Sequence, residues 1–231
     1  MHHLGGKAMY LSPEEIQLGK RETVPDVARV LSRFVDCIMA RVFSHNDVKT
    51  LATFSRVPVI NGLSDYSHPC QGLGDLLTIV EHKGNLRGLK LAWCGDGNNA
   101  LTSLLFGASR LGIDVSVATP VGYEPPSDVL EIAFRFAQEH NSQIEIGHNP
   151  KIAVRGADVI YTDVWTSMGQ EEERQERLRV FPAYQLNAAL LAHAKPGALV
   201  MHCLPAHRGE EITDDVMESP QSVVLDQAEN R

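Results

Sequence analysis

The chain is poor in the features that would point to nucleic acid, to a membrane or to a disulfide framework. It carries 21 Lys and Arg against 29 Asp and Glu over 231 residues, for a formal charge of −8, and no basic run exceeds the pair Lys20-Arg21. Nucleic acid and anionic membranes both require clustered positive charge, so neither is an expected partner. No stretch approaches the roughly 18 consecutive apolar residues of a spanning helix. Met1-His2-His3-Leu4-Gly5-Gly6-Lys7 lacks the apolar core of a signal peptide, and the expected location is the cytoplasm. Cysteine is sparse: Cys37, Cys70, Cys94 and Cys203 stand far apart with no Cys-x-x-Cys pair, which argues for reduced thiols and against a zinc knuckle. Internal repeats and low-complexity segments are also missing.

What the sequence has is a 43% hydrophobic content, enough for a substantial core, and a regular alternation of patterns. Val24, Val27, Ala28, Leu31, Phe34 and Val35 recur at helical spacing, and Cys37 to Phe43 then forms a continuous apolar run typical of a buried parallel strand. The alternation continues with helices over Val48–Phe54, Cys70–Glu81, Ala100–Leu111, Ser127–His140 and Leu186–Ala194. Strands are expected at Pro58–Ile60, Leu89–Cys94, Asp114–Ala118, Gln143–Ile146, Asp158–Asp163 and Ala198–Cys203. This pattern predicts an α/β protein of two doubly wound parallel-sheet domains, with functional loops at the strand C-termini and a site in the cleft between domains. The polar stretch His82–Gly88 divides them, giving domains 1–82 and 83–231. Lys7–Leu11 reads as a strand directly after the start, Ser222–Leu225 as a buried strand, and Gln227–Arg231 as a helix opening that stops within its first turn. Both ends therefore look cut, and the chain is expected to be a fragment. The charged run Gln170–Arg179 reads as a solvated face.

Polar residues gather where strands end. Arg41, inside Ala40-Arg41-Val42-Phe43, must be paired in a structural salt bridge or face a site, because an uncompensated buried guanidinium costs several kcal/mol. In His68-Pro69-Cys70-Gln71, Pro69 suits a first helical turn, so His68 and Gln71 would flank a helix N-terminus fit for an anion or a polarised carbonyl. Gly95-Asp96-Gly97-Asn98-Asn99-Ala100 has the form of a dinucleotide-binding turn. The next strand, however, ends at Ala118-Thr119-Pro120 without the acidic residue that a nicotinamide cofactor requires. The glycines instead read as a tight turn that lets Asn98 and Asn99 present amides to a small carboxylate. Asp163 ends a strand, either as a helix cap or as the partner of a substrate ammonium. His202 and Cys203 lack metal-finger spacing, and no protein-bound metal is expected.

Taken in order, these segments resemble the ornithine carbamoyltransferase family over essentially the whole chain. The motifs are Ala40-Arg41-Val42-Phe43, His68-Pro69-Cys70-Gln71, Gly95-Asp96-Gly97-Asn98-Asn99, Asp163-Val164-Trp165-Thr166-Ser167-Met168-Gly169 and His202-Cys203-Leu204-Pro205. The resemblance implies carbamoyl transfer from carbamoyl phosphate to the side-chain amine of ornithine without a cofactor, in a homotrimer. It implies that Arg41, His68, Gln71 and Arg231 hold carbamoyl phosphate, with Gln17 reaching in from a neighbouring subunit. Cys203 and Leu204 would line the path of the side-chain amine and contact carbamoyl phosphate, and Arg41, His68 and Cys203 would be the catalytic set. Asn99 would take the ornithine carboxylate and Asp163 its α-ammonium, with Ser167 and Met168 alongside. The family's Ser-Thr-Arg-Thr-Arg segment is not found in these residues, so impaired turnover is expected. Competing expectations are a carbamoyltransferase for putrescine or acetylornithine, a non-catalytic amino-acid-binding protein, and an NAD-binding oxidoreductase.

Overall fold

The computed structural model describes residues 1–167 and 169–231, without the side chain of Glu171. Contacts divide it into two units, Met1–Asp65 and Tyr66–Arg231.

In the first unit, α1 (Pro13–Ile16) opens on a capping box in which Ser12 and Glu15 each take the other's backbone N–H. Thr23 caps α2 (Val24–Leu31), accepting from the Asp26 N–H, with proline in its first turn. β1 (Ile38–Arg41), α3 (His45–Phe54) and β2 (Val59–Leu63) follow, and β1 and β2 pair in parallel with Ile38 opposite Val59 and Ala40 opposite Asn61. Val24, Ala28, Ala40, Val48 and Leu51 form the core of this unit. The continuous buried strand expected over Cys37–Phe43 is shorter and one-sided: Ala40 is buried, while Met39 and Phe43 are exposed. The segment 7–11 forms no strand, and Met9 and Tyr10 are exposed. An extended segment becomes a strand only where a sheet edge takes its backbone hydrogen bonds.

The second unit runs α4 (Pro69–Lys83), β3 (Lys90–Cys94), α5 (Asn99–Arg110), β4 (Asp114–Ala118), α6 (Ser127–His140), β5 (Ile144–Gly147), α7 (Pro150–Val154), β6 (Val159–Thr162), α8 (Arg174–Val180), α9 (Ala188–Leu191), β7 (Leu199–His202), α10 (Asp214–Met217) and α11 (Val224–Asn230). Helix α4, expected with the first domain, packs on α5 and α11 and groups by contact with this unit. The sheet is parallel throughout, in the order β5-β4-β3-β6-β7. Strand order reverses between β3 and β6, and in open α/β sheets the crevice at such a switch point is where ligands bind.

Alternation along the strands separates two cores. Leu91, Trp93, Val159, Tyr161 and Met201 pack with α4, α5 and α6 on one face, and Trp93 stacks on Tyr161 with ring centroids 4.9 Å apart. Ala92, Cys94, Ile160 and Val200 pack with α7, α9 and α10 on the other. The expected strand Ser222–Leu225 is a correction: Ser222 makes a single bridge to Val200, and the chain then turns into α11, burying Val224 and Gln227 and exposing Leu225. A short apolar run has no period of its own to separate strand from helix. Among the described residues no helix is long and apolar enough to cross a membrane.

Leu104 is fully buried between α5 and the sheet. Leu104→Ala should lower unfolding free energy by about 2–5 kcal/mol in urea titration; a loss below about 1 kcal/mol would mean this core is loosely packed.

Candidate active site

At the switch point, β6 delivers Asp163, which is 5% exposed. A carboxylate at that depth needs donors, and three converge on it: Asn98 Nδ2 at 2.7 Å, the Val164 N–H at 2.8 Å and Cys203 Sγ at 2.9 Å. Burial first, then the Asp163 charge, push the Cys203 thiol well above its usual value, so it stands as a protonated donor. The Oδ1 of Asn98 accepts from the Ala100 and Leu101 N–H groups, capping α5. Its amide thus joins Asp163 to the start of α5, beside Asn99. Asn99 opens α5.

The glycine turn serves packing. Gly97 donates its N–H to the Tyr123 carbonyl at 2.9 Å, and a Cβ there would fall on the backbone of Tyr123, Glu124 and Pro125. Gly95, at φ +145°, takes a conformation that favours glycine. Between these glycines Asp96 turns to Arg177, 3.0 Å from Nη1. Arg177 is buried, an exception in a run whose other described residues are exposed or half-buried, and it also donates to the Trp165 carbonyl at 2.7 Å and to Glu173 at 2.9 Å. It thereby ties the turn after β3 to the loop after β6. In that loop the Ser167 N–H donates to Gln170 Oε1 at 3.0 Å; Met168 lies outside the described residues.

His68 is the N-cap of α4, buried, with its N–H donated to Ser103 Oγ at 2.8 Å and Pro69 in the first turn. One turn on, Gln71 is 1% exposed and held at both ends of its amide. Its Nε2 donates to Asp75 Oδ1 at 2.7 Å, and its Oε1 accepts from Arg231 Nη1 at 3.1 Å. The same Nη1 donates to the Cys203 carbonyl at 2.8 Å. Leu204, at φ +55°, gives its N–H to His202 Nδ1 at 2.8 Å, so Nε2 is the end of that ring that donates to Glu211 at 2.9 Å. Asp163, His202 and Cys203 bring one potential ligand atom each within 4.8 Å of one another, but both His202 nitrogens are engaged, so a cation would have to displace an existing bond.

His68, Gln71, Asn99, Asp163, Ser167, Cys203, Leu204 and Arg231 thus lie in the second unit. Gln17 and Arg41 lie in the first. Gln17 ends α1 at φ +44° with its Nε2 on the Glu14 carbonyl at 3.2 Å, and Arg41 ends β1 exposed, without an ion pair among the described residues. Asp75, Tyr161, Arg177 and Gln227 were not anticipated from sequence. A charge inside the apolar run Leu73-Gly74-Asp75-Leu76-Leu77 was the available signal for Asp75.

Model matches to known families divide the chain in two. Residues 1–81 match the aspartate/ornithine carbamoyltransferase carbamoyl-P binding domain, and residues 87–231 match the Asp/Orn binding domain of the same family. The chain is 58% identical over 231 residues to an anabolic ornithine carbamoyltransferase of Pyrococcus furiosus, covering all of this chain and 73% of that protein. It is 53% identical over the same span to an ornithine carbamoyltransferase of Bacillus subtilis, covering 72% of it. A solved ornithine carbamoyltransferase from Pyrococcus furiosus superposes with a TM-score of 0.97 at 57% identity, over 100% of this chain and 74% of that one. An anabolic one from Campylobacter jejuni reaches 0.94 at 36% identity, over 99% and 76%.

Burial raises the Asp75 carboxyl from 3.8 to about 7 against the opposing hydrogen bonds of Gln71, Gln227 and Tyr161. The folded state then binds more protons than the unfolded chain between these two values, so the stability tied to this group is lost as pH rises through that window. Asp75→Asn should gain stability relative to the unsubstituted chain from pH 4 to pH 8, followed as the difference in Tm; a difference constant with pH would contradict this.

Proposed function

The chain belongs to the aspartate/ornithine carbamoyltransferase family, and from that premise we propose that it transfers the carbamoyl group of carbamoyl phosphate to the side-chain amine of L-ornithine. L-citrulline and phosphate are the products. The observation that carries the choice of acceptor is the 58% identity, across the whole chain, to a relative named for ornithine. Putrescine, acetylornithine, NAD and a purely binding role have no comparable support.

In this proposal the neutral amine attacks the carbamoyl carbon. A C–N bond forms, the bond between the carbamoyl carbon and the bridging oxygen breaks, and the departing phosphate keeps that oxygen and takes the proton. Negative charge grows on the carbamoyl oxygen and on the leaving phosphate, so fixed donors stabilise the transition state more than the ground state. Arg41, His68, Gln71 and Arg231 supply those donors, with Gln17 contributed by a neighbouring subunit of a homotrimer. Asn99 takes the ornithine carboxylate, and Asp163 its α-ammonium, alongside Ser167 and Met168. The Asn98 and Cys203 contacts orient the Asp163 carboxylate beforehand. Cys203 acts as a neutral donor beside Leu204 on the path of the amine, since a raised thiol makes a poor nucleophile. An alkylamine with a pKa near 10.4 is almost wholly protonated at pH 7. Pairing Asp163 with the α-ammonium lets the site hold that charge while the attacking amine is bound neutral. The reaction needs no organic cofactor, and a cytoplasmic location fits its substrates.

Asp163→Ala should lower kcat/KM for ornithine by about 100-fold or more, the scale of a lost charged contact in a buried site, while leaving the affinity for carbamoyl phosphate within about threefold. Citrulline formation with ornithine, putrescine and N-acetylornithine as rival acceptors measures this. Transfer to another acceptor in preference to ornithine, or unchanged ornithine kinetics in the variant, would overturn the proposal.

A further inference from the structure

Resting on the reading that Gln71 and Arg231 hold carbamoyl phosphate, we propose that Asp75 is a positioning residue of the donor site, setting the direction of the Gln71 amide and through it the seat of the Arg231 guanidinium. Asp75 is 1% exposed and lies one turn along α4 from Gln71. A glutamine amide has nearly isosteric ends, and its neighbours decide which end faces where. Asp75 Oδ1 accepts two amide N–H groups, from Gln71 and from Gln227, and an oxygen that only accepts admits only the Nε2 end of Gln71, at 2.7 Å. Oε1 is thereby turned to Arg231 Nη1, at 3.1 Å, and Nη1 reaches on to the Cys203 carbonyl at 2.8 Å. Reversing the amide would set two oxygens against each other at Asp75 and two sets of N–H donors against each other at Arg231. One direction is self-consistent, and it leaves the second Nε2 hydrogen of Gln71 for a bound acceptor.

The same carboxylate oxygen holds a second amide. Gln227 Nε2 donates to Asp75 Oδ1 at 2.7 Å and to the Tyr161 hydroxyl at 2.9 Å, and Gln227 Oε1 accepts the His202 N–H at 2.9 Å. Asp75 therefore links the start of α4 to the end of β7, where Cys203 follows, without being assigned to substrate itself. Helix bracing alone would be a structural role, and the two roles differ in one measurable respect. A residue acting through Gln71 has no further effect on donor binding once the Gln71 amide is gone.

The test is a double-mutant cycle on citrulline formation with Asp75→Leu, Gln71→Ala and the pair. Asp75→Leu should raise KM for carbamoyl phosphate about tenfold, the scale of a hydrogen bond to a charged group, with KM for ornithine within about twofold. The pair should match Gln71→Ala alone within about twofold. Asp75→Asn, which keeps an acceptor oxygen, should stay within about threefold of the unsubstituted chain. If Asp75→Leu does not fold, Asp75→Ser, too short to reach the amide, replaces it in the cycle. Additive losses, or equal rises in both KM values, overturn the inference and leave the proposed reaction standing. If the unsubstituted chain makes no citrulline, the cycle is read from carbamoyl phosphate binding by calorimetry. Absence of both turnover and binding removes the proposed reaction and this inference with it.

Discussion

A carboxylate sealed at the end of β6 constrains everything around it. Leaving Asp163 at this depth without partners would cost several kcal/mol, so its surroundings must supply donors. Asn98 is the economical answer, because one side chain caps α5 with its oxygen and serves Asp163 with its nitrogen. That placement depends on the turn before it, in which Gly97 lets the backbone of 123–125 approach and Asp96 is held by Arg177. Arg177 in turn binds the Trp165 carbonyl, so the loop following Asp163 is fixed by the turn following β3. The switch in strand order brings these distant segments side by side.

A second carboxylate, Asp75, organises the start of α4 in the same manner with neutral amides as partners. Two glutamines converge on one oxygen, and each carries the constraint outward, Gln71 to Arg231 and Gln227 to the backbone of His202. Cys203 is where the two networks meet: its thiol donates to Asp163 and its carbonyl accepts from Arg231. Preorganisation of this kind suits a reaction whose catalysis is mostly the placing of donors around developing charge.

The alternation of apolar runs was enough to read the parallel α/β class and most strands of the second unit, because buried parallel strands announce themselves as continuous hydrophobic segments. Pro69 and the Asn98-Asn99 pair marked helix starts correctly, since capping is local chemistry. The exceptions were segments whose state depends on distant partners. Residues 7–11 and 222–225 have strand-like composition, yet the first stays irregular and exposed and the second enters a helix. Arg177 and Gln227 sit in polar stretches, and only long-range packing buries them. The bond from Asn98 to Asp163 was not legible, because its acceptor lies 65 residues away.

The central claim is that a carbamoyl group moves intact to the side-chain nitrogen of ornithine. Incubating the chain with carbamoyl phosphate labelled with 13C in its carbonyl and with unlabelled ornithine, then following the products by NMR, measures this directly. A labelled ureido carbon in citrulline should appear in step with phosphate. Phosphate release with the label recovered only as bicarbonate, or in an adduct of another amine, would contradict it.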